Sequence, residues 1–597
     1  MKKKTSLKST LSGNLFLLKY IWKFAPSYLF WEVLNALIQG AYISIIKVYR
    51  KLYYDSLSDG RQFIYVLGMC LTVFAVFVFV EIFTGYYMQV LRESKKQKLK
   101  LGMTVDLFRA AQRVDLACYD DTEFYNDFIW SMSNGDGRAT AMVDSLMKTL
   151  NRSIVLITSA AIMATINPWI SLIAALVAVV SVILNRNTML LSVRRNVALN
   201  PLTRKSSYYE RIFSQPDMAK EVRISHISDV VLDDYESNIG EIRKTEQKFN
   251  REGVKYSLPG ALIERLMEPV VYIIVLYLIM VKKTASIGDL AIVVTTFKSI
   301  KSCLSDLLQS LTSFEEHALF TEKVRTLLEY KPKLKSGELP VPEFESLELK
   351  NVCFSYPNGE EVLHDVSLSV RRGERIAFVG YNGAGKSTLV KLILHFYEPT
   401  SGVILLNGTD IREYDAEAYR RSIGSVFQDF QIYALSLSEN VLCDEVSPSD
   451  SDAVSDALRA ASFGEKLAQL PEGLNTELTR EFSDDGTNLS GGEAQKVAIS
   501  RIFARPYRLI LMDEPSASLD PEAENEINGN ISRLGTDKTV VCISHRLSTT
   551  RYSDRIYVFD GGRLAEKGTH QQLMSLGGRY AEMFEAQAKK YTAAETG

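Results

Sequence analysis

Arg375–Phe396 reads RIAFVGYNGAGKSTLVKLILHF, and this stretch decides what the second half of the chain folds into. An apolar strand-like run, RIAFV, enters a glycine-rich turn, Gly380-Tyr381-Asn382-Gly383-Ala384-Gly385. Lys386-Ser387-Thr388 and an apolar helix through Phe396 follow. Strand, glycine loop and helix start in that order line up backbone N–H groups at the positive end of a helix, the arrangement that holds a phosphate chain. Lys386 offers a point charge to the β and γ oxygens, and Ser387 offers a hydroxyl to Mg²⁺. With ordinary glycine usage a GxxxxGK[ST] match is rare by chance, so an α/β nucleotide-binding unit is a better reading than a mere helix-capping loop.

Downstream, Leu509–Met512 (LILM) reads as a buried strand ending in Asp513-Glu514-Pro515. Two adjacent carboxylates at a strand's carboxyl end are costly unless used. Asp513 is expected in the Mg²⁺ shell and Glu514 beside the attacking water. Gln428, after the strand-like Ile423–Phe427, is placed to reach metal or water, and His545, after Val540–Ser544, to reach the γ-phosphate. Taken singly, these two residues also suit ordinary strand ends. Between them, Leu489-Ser490-Gly491-Gly492-Glu493 opens a helix and forms a second anion site. One chain needs a single phosphate loop, so the second site suggests two copies meeting head to tail.

Upstream, the character changes. At 597 residues the chain exceeds one domain, and Lys+Arg 69 against Asp+Glu 71 leaves a net charge of −2. This balance, with 46% hydrophobic residues, excludes disorder and a nucleic-acid-binding polycation. The mean hydropathy of −0.01 averages two unlike halves. Phe63–Val80 (FIYVLGMCLTVFAVFVFV) is an uncharged run of about 18 residues, long enough to cross hydrocarbon. Ile154–Leu184 is cut by Asn167-Pro168 and reads as a helical hairpin. Six spans are expected, near 28–50, 63–91, 143–166, 169–187, 258–282 and 287–312. Basic residues crowd 92–148 and 186–255, which places those connections and both chain ends in the cytoplasm. These connections run to about 60 to 70 residues and must be structured, as helices that continue past the bilayer and turn back. Leu11–Phe24 reads as an amphipathic surface helix, no cleaved signal peptide is expected, and six scattered cysteines read as reduced, packed thiols.

The ordered set FSYP, GYNGAGKST, VFQDF, LSGGE, LILMDEP, SASLD and SHR resembles the ATP-binding cassette exporters, specifically half-transporters with six membrane helices before one nucleotide-binding domain. The resemblance covers essentially the whole chain. It implies an α-helical six-span membrane domain with cytoplasmic helix extensions over 1–330, a linker over 331–345 and an α/β P-loop nucleotide-binding domain over 346–597. It further implies ATP and Mg²⁺ as ligands, Tyr356 as the aromatic stacked on adenine, Asp520 as a dimer contact and His545 as the switch histidine. Glu514 becomes the catalytic base, with Lys386 and Gln428 assisting, and Ser387, Gln428 and Asp513 around the metal. The nucleotide contacts are Gly380 through Thr388 on one chain and Ser490, Gly491, Gly492 and Glu493 on the other. A second half-transporter is the implied partner; a homodimer is simpler, since no site here is degenerate, and a heterodimer stays open. Tyr119–Asp127 and Ser214–Arg223 look like the two coupling-helix regions. TREFSDDGTN keeps Glu481 and Gly486 without the compact spacing of many exporters, which leaves the contact between nucleotide domain and coupling helix open.

Ionisable residues inside spans are suspects for the transport path. Lys298, with Lys301 and Glu81, is read as lining it, with snorkelling as the alternative for Lys298. Glu264, Arg265 and Glu268 are read near the cytoplasmic mouth, where solvation is the ordinary explanation. A wet conduit of this kind suits an amphipathic or peptide cargo, and the carboxyl-terminal texture resembles bacterial exporters of lantibiotic-like peptides. Multidrug or lipid export is the alternative, and a soluble ABC ATPase or an ATP-gated channel the rival of another class. The first span begins too early for a peptidase domain. The expected place is the cytoplasmic membrane, with the nucleotide-binding domain inside.

Overall fold

The structure, a computed structural model, describes residues 7–216, 218–357, 359, 361–515, 519–533, 538–544 and 546–594. The chain forms two compact units, one comprising residues up to Gln112 with Asp127–Glu329, the other Arg113–Asn126 with Tyr330 onward.

The first unit is helical throughout: α1 (Leu7–Phe24), α2 (Pro26–Ser58), α3 (Phe63–Tyr86), α4 (Glu93–Gln112), α5 (Thr122–Ile166), α6 (Pro168–Ser214), α7 (Ala219–Ile224), α8 (Ile227–Met280) and α9 (Ile287–Leu328). Local chemistry sets the breaks. Pro26 sits in the first turn of α2. Asn167 caps α6, its Oδ1 accepting from the Trp169 N–H at 2.9 Å, with Pro168 where no amide is needed. Ser286 and Asp289 form a reciprocal capping box on α9. A π-helical turn, Tyr87–Arg92, joins α3 to α4 with no non-helical residue between them.

The 54 residues of α8 span about 80 Å at 1.5 Å per residue, far beyond a 30 Å hydrocarbon core. The long connections expected from sequence are thus mostly helix, turning back at 113–121 and around the short α7. Among the described residues, three helical stretches are long and apolar enough to cross a membrane: Pro26–Ser58, Phe63–Gln112 and Gly137–Ile166. α8 and α9 instead carry charge within their apolar stretches (Glu268, Lys298), and some side chains of α6 lie outside the described set. Arg92, one of the cations used to orient the chain, is spent in the interior: its Nε donates to Glu32 at 2.7 Å and its guanidinium also reaches Asp144.

The second unit is α/β. Ten strands are β1 (Ser346–Ser355), β2 (Glu361–Arg371), β3 (Arg375–Gly380), β4 (Ser401–Leu406), β5 (Thr409–Asp410), β6 (Ile423–Val426), β7 (Leu509–Asp513), β8 (Thr539–Ile543), β9 (Arg555–Asp560) and β10 (Arg563–Gly568). They make an antiparallel sheet in the order β2-β1-β4-β5 and a larger sheet in the order β10-β9-β3-β8-β7-β6. The run β9-β3-β8-β7-β6 is parallel, and its central strands β3 and β7 are buried nearly end to end, which is why they read as unbroken apolar runs. Leu347, Val366, Phe378 and Leu389 lie in one shared core between the sheets and helix α10 (Lys386–Ile393).

Gly402, at φ +85, opens β4 where a Cβ would meet the Asn351 carbonyl oxygen at 2.2 Å. Both the conformation and the space exclude a side chain, so Gly402→Ala is expected to cost about 1–3 kcal/mol. Thermal melting of the purified full chain should show an earlier transition; an unchanged curve would contradict this packing.

Residues 113–126 belong to this second unit although they lie far upstream of it. Cys118 is buried, Ala117 packs on the core, and Asp115 accepts from the Tyr330 hydroxyl and the Lys333 amide, both at 2.6 Å.

Candidate functional site

The site lies at the carboxyl ends of the parallel strands. β3 delivers Gly380 at φ +152, where a Cβ would stand 2.3 Å from the Phe559 carbonyl oxygen, and the loop closes on Gly385 at φ +90. Ala384 is buried under the loop, while Tyr381, Asn382, Gly383 and Ser387 face outward. Lys386 is buried, and its Nζ donates to the carbonyls of Gly380 and Tyr381 at 2.9 and 3.0 Å. The ammonium is therefore fixed across the mouth of its own loop. Burial lowers its pKa, and Glu514 and Asp513 partly oppose this.

β8 separates β3 from β7, so Asp513 arrives at the same sheet edge as the glycine loop. It is 6% exposed. Glu514 follows at φ +50, a left-handed conformation in a residue that has a Cβ to accommodate, held by its amide donating to the Ile543 carbonyl at 3.0 Å. Such backbone strain costs about 1–3 kcal/mol and gathers at working sites. Gln428 comes from the end of β6, its Nε2 donating to Glu514 Oε2 at 3.3 Å. The structure thus brings Lys386, Gln428, Asp513 and Glu514 to one edge. His545 lies outside the described residues.

Sequence reasoning missed Gln495. It is buried on the helix Gly491–Phe503 and its Nε2 approaches the Glu514 carbonyl at 3.5 Å, which ties that helix to the strained residue. A lone glutamine three residues after the second of two glycines gave no signal. Ser490 caps the same helix: Glu493 takes the Ser490 N–H at 2.8 Å and returns its own amide to the Ser490 hydroxyl. Burial pushes the Glu493 pKa up, but that amide, Lys466 and the Ser490 hydroxyl outweigh it and hold the carboxyl below its usual range. No described hydrogen bond or ion pair joins Ser490–Glu493 to Gly380–Thr388 within the chain. Asp520 is exposed and caps the helix Pro521–Arg533, accepting from the Ala523 amide at 2.8 Å.

Tyr356 is partly exposed. Its ring meets Phe354 and Tyr397 edge to face at 4.9 and 5.5 Å, and its hydroxyl shares a 3.1 Å hydrogen bond with Thr388 Oγ1. One edge of the ring is thereby committed to the core.

The donor set suits Mg²⁺. Ser387 supplies a hydroxyl, Asp513 a carboxylate and Gln428 an amide oxygen, its amide nitrogen being turned toward Glu514. All are hard oxygen ligands. Among the described residues no group of three or more His, Cys, Asp and Glu forms an all-protein metal cage, as expected where substrate phosphates and water complete the shell.

In the helical unit, Lys298 Nζ lies 2.9 Å from Glu268 Oε1, and Glu268 also accepts from Tyr272. The two charges, read separately as a path-lining residue and a residue of the cytoplasmic mouth, therefore pair with each other. It lies 12 residues before the end of α8 and Lys298 lies 11 residues after the start of α9, so both sit about 17 Å along their helices from the α8–α9 turn. Glu81 is exposed on α3 and joins no described hydrogen bond or ion pair, so the structure does not bring it to Lys298. Lys301 lies one turn beyond Lys298 and is half-buried.

A sequence profile described as ABC transporter matches residues 363–517, which contain the glycine loop, Gln428, Ser490–Glu493 and Asp513-Glu514. The chain carries an ABC transporter domain. Its fold, a helical domain with apolar helices followed by an α/β nucleotide-binding domain, is also that of a bacterial Atm1-family ABC exporter solved with ATP bound. The match has a TM-score of 0.79 at 24% identity and covers 94% of this chain and 99% of that one. The subtilin transport ATP-binding protein SpaT of Bacillus subtilis is 26% identical over 87% of this chain and 86% of its own length. The ATP-dependent lipid A-core flippase of Pseudomonas fluorescens is 31% identical over 54% of each. A Bacillus subtilis protein, YgaD, is 39% identical over 242 residues, and that alignment spans only 41% of YgaD. A domain of this family binds ATP.

Proposed function

We propose that the chain is one half of an ATP-driven exporter of the cytoplasmic membrane, working by alternating access, with its nucleotide-binding domain in the cytoplasm. The convergence of Lys386, Gln428, Asp513 and a backbone-strained Glu514 on one sheet edge carries this reading. Glu514 accepts the proton of the attacking water, and Gln428 orients that carboxylate. Lys386 neutralises charge on the β and γ oxygens. Bound by Ser387, Asp513 and Gln428, Mg²⁺ supplies charge neutralisation at those phosphates. Tyr356 stacks on the base, and His545 contacts the γ-phosphate.

Ser490 through Glu493 make no described hydrogen bond or ion pair with the glycine loop of their own chain, which supports a pairing of two chains, the glycine loop of one facing the Ser490–Gly492 turn of its partner across shared ATP. Asp520 lies on that seam. A homodimer is the simpler form, because both halves of a site are present in one sequence. ATP closes the seam and hydrolysis opens it, and the six helices tip in response.

For cargo, the Lys298–Glu268 pair supports a polar path through the helices, since a charge facing hydrocarbon costs at least about 2.5 kcal/mol. An amphipathic peptide suits such a path, and the similarity to a subtilin transporter over most of the chain favours it. Lipid or multidrug export is the second reading, supported by the similarity to a lipid A-core flippase.

The test is ATPase stimulation in lipid discs across amphipathic peptides, lipophilic cations and lipids, followed by uptake into inside-out vesicles. Peptide-stimulated turnover with ATP-dependent peptide uptake is expected. Stimulation by lipids or cations alone moves the cargo class. An ATP-evoked current without uptake would make the protein a channel, and full-chain solubility without detergent a soluble ATPase.

A further inference from the structure

The segment Arg113–Asn126 is covalently continuous with the helices before and after it, yet it packs as part of the nucleotide-binding unit. Two carboxylates hold it there, and they hold different things. Asp115 accepts from the Tyr330 hydroxyl and the Lys333 amide, both in the connection that leads into β1. Asp120 accepts from the Tyr397 hydroxyl at 2.8 Å. Tyr397 is 5% exposed, and its ring lies 5.5 Å from both Phe354 and Tyr356, edge to face in each case. Tyr356 in turn shares its hydrogen bond with Thr388 of the phosphate loop helix. A continuous chain of contacts therefore runs from Thr388 through Tyr356 and Tyr397 to Asp120.

We propose that Tyr397 is a positioning residue that reports occupancy of the base site to the segment 113–126 through its hydrogen bond to Asp120. The inference rests on the reading of Tyr356 as the base-stacking aromatic. A base laid on the open face of Tyr356 fixes that ring. Its edge contact fixes Tyr397, because a close-packed aromatic group has few alternative arrangements. Fixing Tyr397 fixes its hydroxyl, and with it Asp120. Burial, reinforced by the Asp120 carboxylate, pushes the Tyr397 hydroxyl pKa up, so it stays a donor. The described side-chain hydrogen bonds of Asp115 go to the connection and not to the aromatic chain, which makes it the static anchor and Asp120 the responsive one.

The experiment is hydrogen–deuterium exchange on the full chain in lipid discs, in a Glu514→Gln background that retains bound ATP. ATP should slow exchange across 118–126 more than across 113–117. Adding Tyr397→Phe, which keeps the ring and removes the hydroxyl, should abolish about tenfold or more of that ATP-dependent slowing, the worth of a hydrogen bond to a charged acceptor. Asp120→Asn should weaken it in the same direction, and the double variant should be no worse than Tyr397→Phe alone, since both act on one bond. Affinity for a fluorescent ATP analogue should stay within about twofold, as no phosphate or base contact is removed. If Tyr397→Phe loosens 113–126 equally with and without ATP, the residue is merely structural and the proposal fails. If ATP slows exchange equally in both backgrounds, the proposal also fails. If the Glu514→Gln background binds no ATP, the fault lies in the reading of the nucleotide site instead.

Discussion

Glu514→Gln is expected to lower ATP turnover by on the order of 10²–10⁴-fold while ATP binding is retained. The substitution preserves volume and shape, so the left-handed backbone at φ +50 and the amide bond to Ile543 should survive. What is lost is the carboxylate proposed to accept the proton of the attacking water. Gln428 cannot replace it, being an amide that already donates toward Glu514. Phosphate release at saturating ATP, set beside equilibrium binding of a fluorescent analogue, separates the two effects. Near-normal turnover in this variant would remove Glu514 from the base role. Loss of binding together with turnover would show that the carboxylate was holding the site together rather than acting on water.

The second large effect is at Lys386. Its ammonium is buried, donates to two loop carbonyls and stands near two carboxylates. Lys386→Ala removes the cation proposed to meet the triphosphate, a charge-assisted contact worth about 1.5–3 kcal/mol, so the ATP Kd should rise roughly 10- to 100-fold. It also leaves the carbonyls of Gly380 and Tyr381 without that donor, and the loop should loosen. Isothermal titration of the full chain with ATP, with and without Mg²⁺, measures the first effect, and exchange protection over 380–388 measures the second. Unchanged affinity would mean that the backbone amides of the loop carry the phosphate contact alone.

The nucleotide-binding unit was legible because its chemistry is local. Gly380 and Gly385 are glycines since a side chain would strike Phe559 and Leu363, and Lys386 follows them directly in the chain. Strands β3 and β7 were legible because burial on both faces leaves only apolar residues. Phe63–Val80 announced itself by length and absence of charge. Contacts made across long separations were not legible. Nothing adjacent to Gln495 says that it will meet Glu514, and nothing in YDDTEF says that Asp120 will meet a tyrosine 277 residues away. The Lys298–Glu268 pair was hidden for the same reason: each charge was visible in its own helix, but only the antiparallel run of α8 and α9 sets them at the same level.

One small knot has a mechanical corollary. Arg92 joins Glu32 of α2 to Asp144 of α5 from the π-helical turn that leads into α4, and Glu32 is 4% exposed. Parting them would strand a charge without its counter-ion, at about 3–5 kcal/mol. Whatever rocking ATP drives in this chain, those three helices should therefore travel as a single rigid block, and the sliding surfaces must be sought where α6, α8 and α9 meet it.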